Sequence, residues 1–251
     1  MQKQPLILIT NDDGLDAQGI SVLTDCMLKL GQVIVVAPNG ARSGAACSIT
    51  PIVPVSLKLE KEQENLRVYS CSGTPADCVK LALEKVVPRR PDLVVSGINH
   101  GDNASCSVHY SGTMGAVMEG CMKGVPSVGY SLRTRKQECD FQPYLDVVEK
   151  VAAHVLKNGL PNDVCLNVNF PEVPVLKGIS VCRMSRGIWE SEWKETDTPG
   201  IYSLTGHFTN LEPDSEDTDY WALDHDMASV TPLSLDMTYH PYFKDLESLQ
   251  K

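Results

Sequence analysis

Two aspartates stand side by side near the start of the chain, in Thr10-Asn11-Asp12-Asp13-Gly14, directly after the apolar run Leu6-Ile7-Leu8-Ile9. At the end of a buried β-strand such carboxylates repel each other and lose hydration. A counter-charge resolves that conflict, and a hard divalent cation is the natural one. A plain turn is the alternative, because Asp-Gly is ordinary turn chemistry. Two further polar clusters follow apolar runs. Ala41-Arg42-Ser43-Gly44 comes after Val33-Ile34-Val35-Val36, and the segment 96–103, from Ser96 through Asn99 to Asn103, comes after Leu93-Val94-Val95. In a parallel sheet all three lie along one edge, outside the carboxyl ends of the strands, where open α/β sheets bind ligands. Together they offer two carboxylates, a hydroxyl and an amide oxygen. That set suits Mg²⁺, Mn²⁺ or Ca²⁺ and is poor for zinc. A fourth segment, Tyr110-Ser111-Gly112-Thr113-Met114-Gly115, reads as a helix start that presents hydroxyls and unpaired backbone N–H groups to an anion. Simple N-capping by Ser111 is the plainer reading. A cation site beside an anion site points to a phosphate ester.

The elements that must position these residues alternate between strand and helix. Ile20, Leu23, Met27 and Leu30 recur at helical spacing. Thr74-Pro75-Ala76-Asp77 is a helix start with a Thr cap, Pro in the first turn and an acid three residues after the cap. Val79, Leu83 and Val86 then line one face. Residues 111–122 read as a helix rich in small residues, and Leu145, Val148, Ala152 and Val155 mark another. Residues 126–130 and 164–168 read as further strands. Apolar strands that do not alternate, joined by helices, imply a mainly parallel sheet covered on both faces. The expected fold is a doubly wound α/β domain, a Rossmann-like three-layer sandwich, over residues 1–175. Residues 176–251 are expected to form a β-rich extension with hairpins that mediates oligomerisation. Trp189, Trp193, Tyr202, Tyr220 and Trp221 cluster there. Burial in an oligomer interface is the preferred reading of these aromatics, ahead of a platform for a base ring.

Bulk properties narrow the function. The chain has 251 residues and a formal net charge of −10, which argues against a nucleic-acid duplex as partner. It leaves room for a small phosphorylated substrate, because a bound cation reverses the local potential. No stretch approaches the ~20 apolar residues of a membrane span, and Met1-Gln2-Lys3-Gln4-Pro5 runs into the first strand without a signal-peptide pattern. Nine cysteines, with no Cys-x-x-Cys pair, read as small buried hydrophobes in a reducing cytoplasm.

Familiar nucleotide motifs are missing: there is no Gly-x-Gly-x-x-Gly, no Walker loop and no EF-hand. The chain resembles instead the SurE family of 5′/3′-nucleotidases. The resemblance rests on Ile9-Thr10-Asn11-Asp12-Asp13-Gly14, Val36-Ala37-Pro38 with Arg42-Ser43-Gly44, the segment 72–79 around Thr74-Pro75-Ala76-Asp77, the segments 92–103 and 110–120, and Ser229-Val230-Thr231-Pro232-Leu233. It implies metal ligands at Asp12, Asp13, Ser43 and Asn99, and it places Asn103, Ser111, Gly112 and Thr113 near the phosphate. It further implies one Mg²⁺ or Mn²⁺ per subunit, nucleoside monophosphates as substrates with some activity on short polyphosphate, and a homodimer or homotetramer built through the C-terminal extension. Met227-Ala228 stands where the family usually carries a Gly-aromatic pair.

The catalytic reading assigns Asp12 or Asp13 to the attacking water and Asn103 to charge on the phosphoryl oxygens. His100 and His109 are candidates either for the chemistry or for structural roles, and His225 and His240 either for the chemistry or for a subunit interface. Arg42 is equally a phosphate donor or a surface residue. Two other functions compete, a nucleotide-sugar transferase and a metal-independent nucleotide-binding regulator.

Overall fold

The computed structural model describes residues 4–134, 136 and 138–250. β1 (Leu6–Thr10), α1 (Gln18–Leu28) and β2 (Gln32–Pro38) form the first βαβ unit. A hairpin follows, β3 (Leu57–Gln63) and β4 (Leu66–Cys71), and then α2 (Pro75–Leu81), β5 (Leu93–His100), α3 (Gly112–Met122), β6 (Ser127–Arg133), α4 (Leu145–Asn158) and β7 (Val164–Pro171). Next come β8 (Gly178–Val181) and four short strands, β9 (Gly187–Glu190), β10 (Trp193–Glu195), β11 (Tyr202–Leu204) and β12 (His207–Asn210). The last elements that bear on the site are α5 (Asp219–Asp224) and β13 (Met227–Ser234).

Nine strands make one sheet in the order β3-β4-β2-β1-β5-β6-β7-β13-β8. The six from β4 to β7 are mutually parallel. Strand order reverses between β1 and β5, and this is the switch point at which doubly wound sheets open a crevice. The apolar runs have no polar face because both faces are covered. Ile7 and Ile9 pack in one cluster with Ile20 and Leu23 of α1 and Val148 of α4. Leu6 and Leu8 point the other way, into a cluster with Val79 of α2 and Ala116 of α3. Each such buried aliphatic side chain contributes about 1.5–3 kcal/mol. The Rossmann-like α/β sandwich expected from the strand pattern is the fold observed.

The start of α2 is the expected capping box. Asp77 N–H donates to Thr74 Oγ1 at 3.1 Å, and Thr74 N–H donates to Asp77 Oδ2 at 2.9 Å. Asp77 also accepts from the Thr50 hydroxyl at 2.6 Å, which pins the segment after the Ser43 loop.

Strands β3 and β4 were not legible from pattern. β3 reads Leu-Lys-Leu-Glu-Lys-Glu-Gln and is almost wholly exposed at the sheet edge, so it carries no apolar run. β4 is only partly buried. Beyond residue 175 the chain supplies two strands to the main sheet as well as two small hairpin-like pairs. β13 lies antiparallel to β7, and β8 lies parallel to β13. Met227 and Ala228 begin β13 in register with Gly178 and Ile179. Among the described residues no helix is long and apolar enough to cross a membrane.

Candidate active site

The three polar clusters converge at the switch point. Asp12 and Asp13 follow β1, Ser43 follows β2, and Asn99 lies in the last turn of pleat of β5. Their loops are tied together by direct bonds. Arg42 N–H donates to the Asp12 carbonyl at 2.7 Å, and Ala46 N–H donates to the Tyr110 carbonyl at 3.1 Å. His100 N–H donates to Asp13 Oδ2 at 3.2 Å. Above them opens a cavity of about 550 Å³, the size of a small-ligand site. Asp12, Ser43, Asn99, Asn103 and Ser111 all line it. Asp13, Gly112 and Thr113 stand behind that wall.

Asp12 is 4% exposed, and burial pushes its carboxyl up to about 6. A hydrogen bond from the Thr113 hydroxyl works against this shift, and the neighbouring Asp13 charge adds to it. Among the described residues no Lys or Arg forms an ion pair with Asp12 or Asp13. Asn99 commits its Nδ2 to the Gly101 carbonyl at 2.7 Å, which leaves the amide oxygen as the atom for a ligand. The donors gathered here are carboxylate, hydroxyl and amide oxygens, held around a carboxylate that burial has left short of a counter-charge. They fit a hard divalent cation. Burial also raises the Asp102 carboxyl in the same cavity, partly countered by the Arg133 charge.

The anion side is the N-terminus of α3. Ser111 caps it, its Oγ accepting from Met114 N–H at 3.0 Å, and the same residue lines the cavity. Capping and ligand exposure are therefore joint properties of Ser111. The Thr113 hydroxyl, expected to face the phosphate, is committed to Asp12 Oδ1. The Thr113 N–H is likewise directed at the Asp12 carboxylate, so the first-turn N–H left for a ligand is that of Gly112, which has no carbonyl of its own helix to bind. Gly112 is required for the fit: a Cβ there would lie 2.8 Å from both Cβ and Oδ2 of Asp12.

The weaker candidates separate cleanly. His100 lines the cavity, 3.5 Å from Asp13 Oδ2 through Nδ1 and 3.3 Å from Cys139 Sγ through Nε2. Arg42 braces the loop after β4, donating to Ser72 and Gly73 carbonyls at 3.1 and 3.5 Å. His109 is exposed outside the cavity. His225 stacks on Trp221, and His240 pairs with Asp236 at 2.8 Å.

Five wall residues come from the segment beyond 175: Trp189, Glu192, Trp193, Leu204 and Thr205. Trp189 packs edge-on against Phe208, which stacks on Tyr220 at 4.1 Å, whereas Trp193 is 66% exposed. Two of the five clustered aromatics thus line the cavity. Asp219 is another residue that pattern did not single out. Fully buried, it accepts from the N–H groups of Ser105 at 2.8 Å and Ser185 at 2.9 Å, joining the loop beyond Asn103 to the C-terminal segment.

Comparison with known proteins places the chain in a family. The profile of the Survival protein SurE family matches residues 7–191. A protein named 5′-nucleotidase SurE from Phocaeicola vulgatus is 50% identical over 250 residues, covering 98% of this chain and 97% of that relative. A relative of the same name from Porphyromonas gingivalis is 40% identical over 259 residues, covering 100% and 99%. The crystal structure of the SurE protein from Aquifex aeolicus superposes with a TM-score of 0.85 at 34% identity, over 98% of this chain and 100% of that one. With a family profile spanning most of the sequence and relatives aligned almost end to end, the chain belongs to the survival protein SurE family.

Proposed function

We propose that this chain is a metal-dependent phosphomonoesterase that hydrolyses nucleoside 5′- and 3′-monophosphates to nucleoside and phosphate, with short polyphosphate as a secondary substrate. The observation that carries the reading is the buried Asp12 carboxylate, without a Lys or Arg partner among the described residues, in the wall of a cavity that it shares with Ser43, Asn99 and the capped start of α3. A divalent cation, Mg²⁺ or Mn²⁺, held by Asp12, Asp13, Ser43 and Asn99 would supply charge neutralisation for the phosphoryl group and acidity for the attacking water. Asp12 lines the cavity while Asp13 does not, so Asp12 is assigned to orient that water and Asp13 to hold its side of the cage. Thr113 fixes the Asp12 carboxylate through its hydroxyl. Asn103, Ser111 and the N–H of Gly112 hold the phosphoryl oxygens as negative charge grows on them.

Trp189 and Trp193 give the nucleobase a stacking surface. Removing one stacking partner costs about 1–3 kcal/mol per base. Trp193→Ala is therefore expected to raise KM for nucleoside monophosphates about tenfold, with kcat held and with no effect on an ester lacking a base, such as p-nitrophenyl phosphate. Equal losses on both substrates would exclude base stacking.

The segment beyond 175 leaves apolar side chains exposed, among them Tyr202, Leu204, Met237 and Tyr239. They suit a homodimer or homotetramer, which light scattering would read directly. Nine free thiols fit the reducing cytoplasm.

The defining test is a panel of nucleoside monophosphates with Mg²⁺, Mn²⁺ or a chelator. Phosphate release that requires metal is the expected result. No release from any member of the panel would sink the assignment. Chelator-insensitive nucleotide binding without turnover would point to a regulator.

A further inference from the structure

Asn103 is held by side chains two strands away. Its backbone N–H donates to Asn169 Oδ1 at 2.7 Å, and its carbonyl accepts from Asn167 Nδ2 at 2.8 Å. The two β7 amides are themselves joined, Asn169 Nδ2 donating to Asn167 Oδ1 at 3.1 Å. The side chain of Asn103 is fixed separately, its Nδ2 donating to Ser131 Oγ of β6 at 2.8 Å. Asn167, Asn169 and Ser131 are all fully buried.

This arrangement is costly to build. Asn is depleted in strands, and a buried amide loses about 1–3 kcal/mol unless its groups are satisfied. An alternative is visible on the opposite face of β7, where Val168 and Phe170 sit in the apolar core. Asn167 and Asn169 are two residues apart, so they share the other face. That face carries an acceptor for the backbone N–H of Asn103 and a donor for its carbonyl, so it grips both peptide units that flank this one residue. The loop leaving β5 crosses β6 and docks on β7 through those bonds.

We infer that Asn167, Asn169 and Ser131 are positioning residues for Asn103. The β7 amides set where its backbone lies, and Ser131 sets how its side-chain amide is turned at the cavity wall. The inference rests on the assignment of Asn103 to the phosphoryl oxygens. A donor aimed at charge that develops during the reaction loses its value when displaced, so the effect falls on kcat. The metal cage is drawn from the loops after β1 and β2 and from the end of β5, and it stays in place.

Double-mutant cycles on the full-length protein test this, with a nucleoside 5′-monophosphate and Mn²⁺ as the assay pair. Asn103→Ala and Asn169→Ala are each expected to lower kcat about 100-fold, while the Mn²⁺ dissociation constant from EPR titration stays within about twofold of wild type. The double variant is expected to fall no further than the weaker single. Ser131→Ala removes one hydroxyl and nothing else, so it tests the same coupling where Asn169→Ala fails to fold. Multiplicative losses in either cycle, or Mn²⁺ affinity that falls with kcat, would overturn the inference and leave only a structural role. Wild-type kcat in Asn103→Ala would instead overturn the assignment of Asn103, and the inference with it.

Discussion

Replacing Asp12 by Asn is expected to abolish metal-dependent phosphate release and, at the same time, to raise the melting temperature of the metal-free protein. Both effects have one cause. Burial raises the Asp12 carboxyl from 3.8 to about 6 in the folded chain, so its ionised form is disfavoured there relative to the unfolded chain. Linkage then sets the sign. Between pH ~4 and ~6 the folded state binds more protons than the unfolded state, and stability falls as pH rises through that window. Above it the full penalty stands, on the order of 3 kcal/mol. The amide of Asn keeps an oxygen for the Thr113 hydroxyl and carries no charge. With a chelator present at pH 7.5, the variant is expected to melt roughly 5–10 °C above wild type. That gap should shrink as pH falls to 5. Mn²⁺ should raise the melting temperature of wild type and leave the variant where it is. A gap independent of pH would remove charge burial as the cause, and undiminished turnover would remove Asp12 from the site.

Gly115→Ala is expected to lower kcat/KM about 100-fold, the cost of misplacing a catalytic group by roughly an ångström. Helix propensity alone points the other way, since Ala is favoured over Gly by about 1 kcal/mol in a helix interior. Packing decides the outcome. A Cβ at Gly115 would lie 2.0 Å from the Ala46 carbonyl oxygen and 2.6 Å from its carbon. These are backbone atoms with no rotamer to escape into. α3 is buried along most of its length, so the loop after Ser43 must move instead. That loop is anchored at both ends, by Arg42 N–H on the Asp12 carbonyl and by Ala46 N–H on the Tyr110 carbonyl. Its displacement carries Ser43 away from Asp12 and Asn99. Gly40 is the control, because nothing lies within 4 Å of a Cβ there, and Gly40→Ala should retain activity. Full activity in Gly115→Ala would show that the loop gives way without disturbing the site. Melting curves separate loss of geometry from loss of fold.

Sequence pattern brought together the clusters that line the candidate cavity better than it read what surrounds them. Asp12, Ser43 and Asn99 were legible because each follows an apolar run, and a parallel sheet puts the ends of such runs together. The cap at Thr74 was legible because its donor and acceptor lie within four residues. Strand β4 was not, because its residues are only partly buried and its hairpin partner β3 is almost wholly exposed, so neither carries an apolar run. The place of Trp189 and Trp193 in the cavity wall was not legible either: nothing local in them says that the hairpin segment folds back over the ends of β1 and β5. The buried amides had a local signal that went unused. Two asparagines at alternate positions of an otherwise apolar strand, Asn167 and Asn169, share one face, and neither is there for strand propensity.

β13 is made last of the nine strands, yet it sits between two made earlier. Residues 6–171 contain the six parallel strands, but β7 keeps an open edge until residues 227–234 have been synthesised. An open edge is a template for the wrong partner, and pairing across a long stretch of chain is slow to form. Capture of β13 closes that edge beside the two asparagines, with Ser229 opposite Asn169 and Thr231 opposite Asn167. The nascent protein thus holds the loops after β1, β2 and β5 well before it holds the strand that seals the adjoining edge.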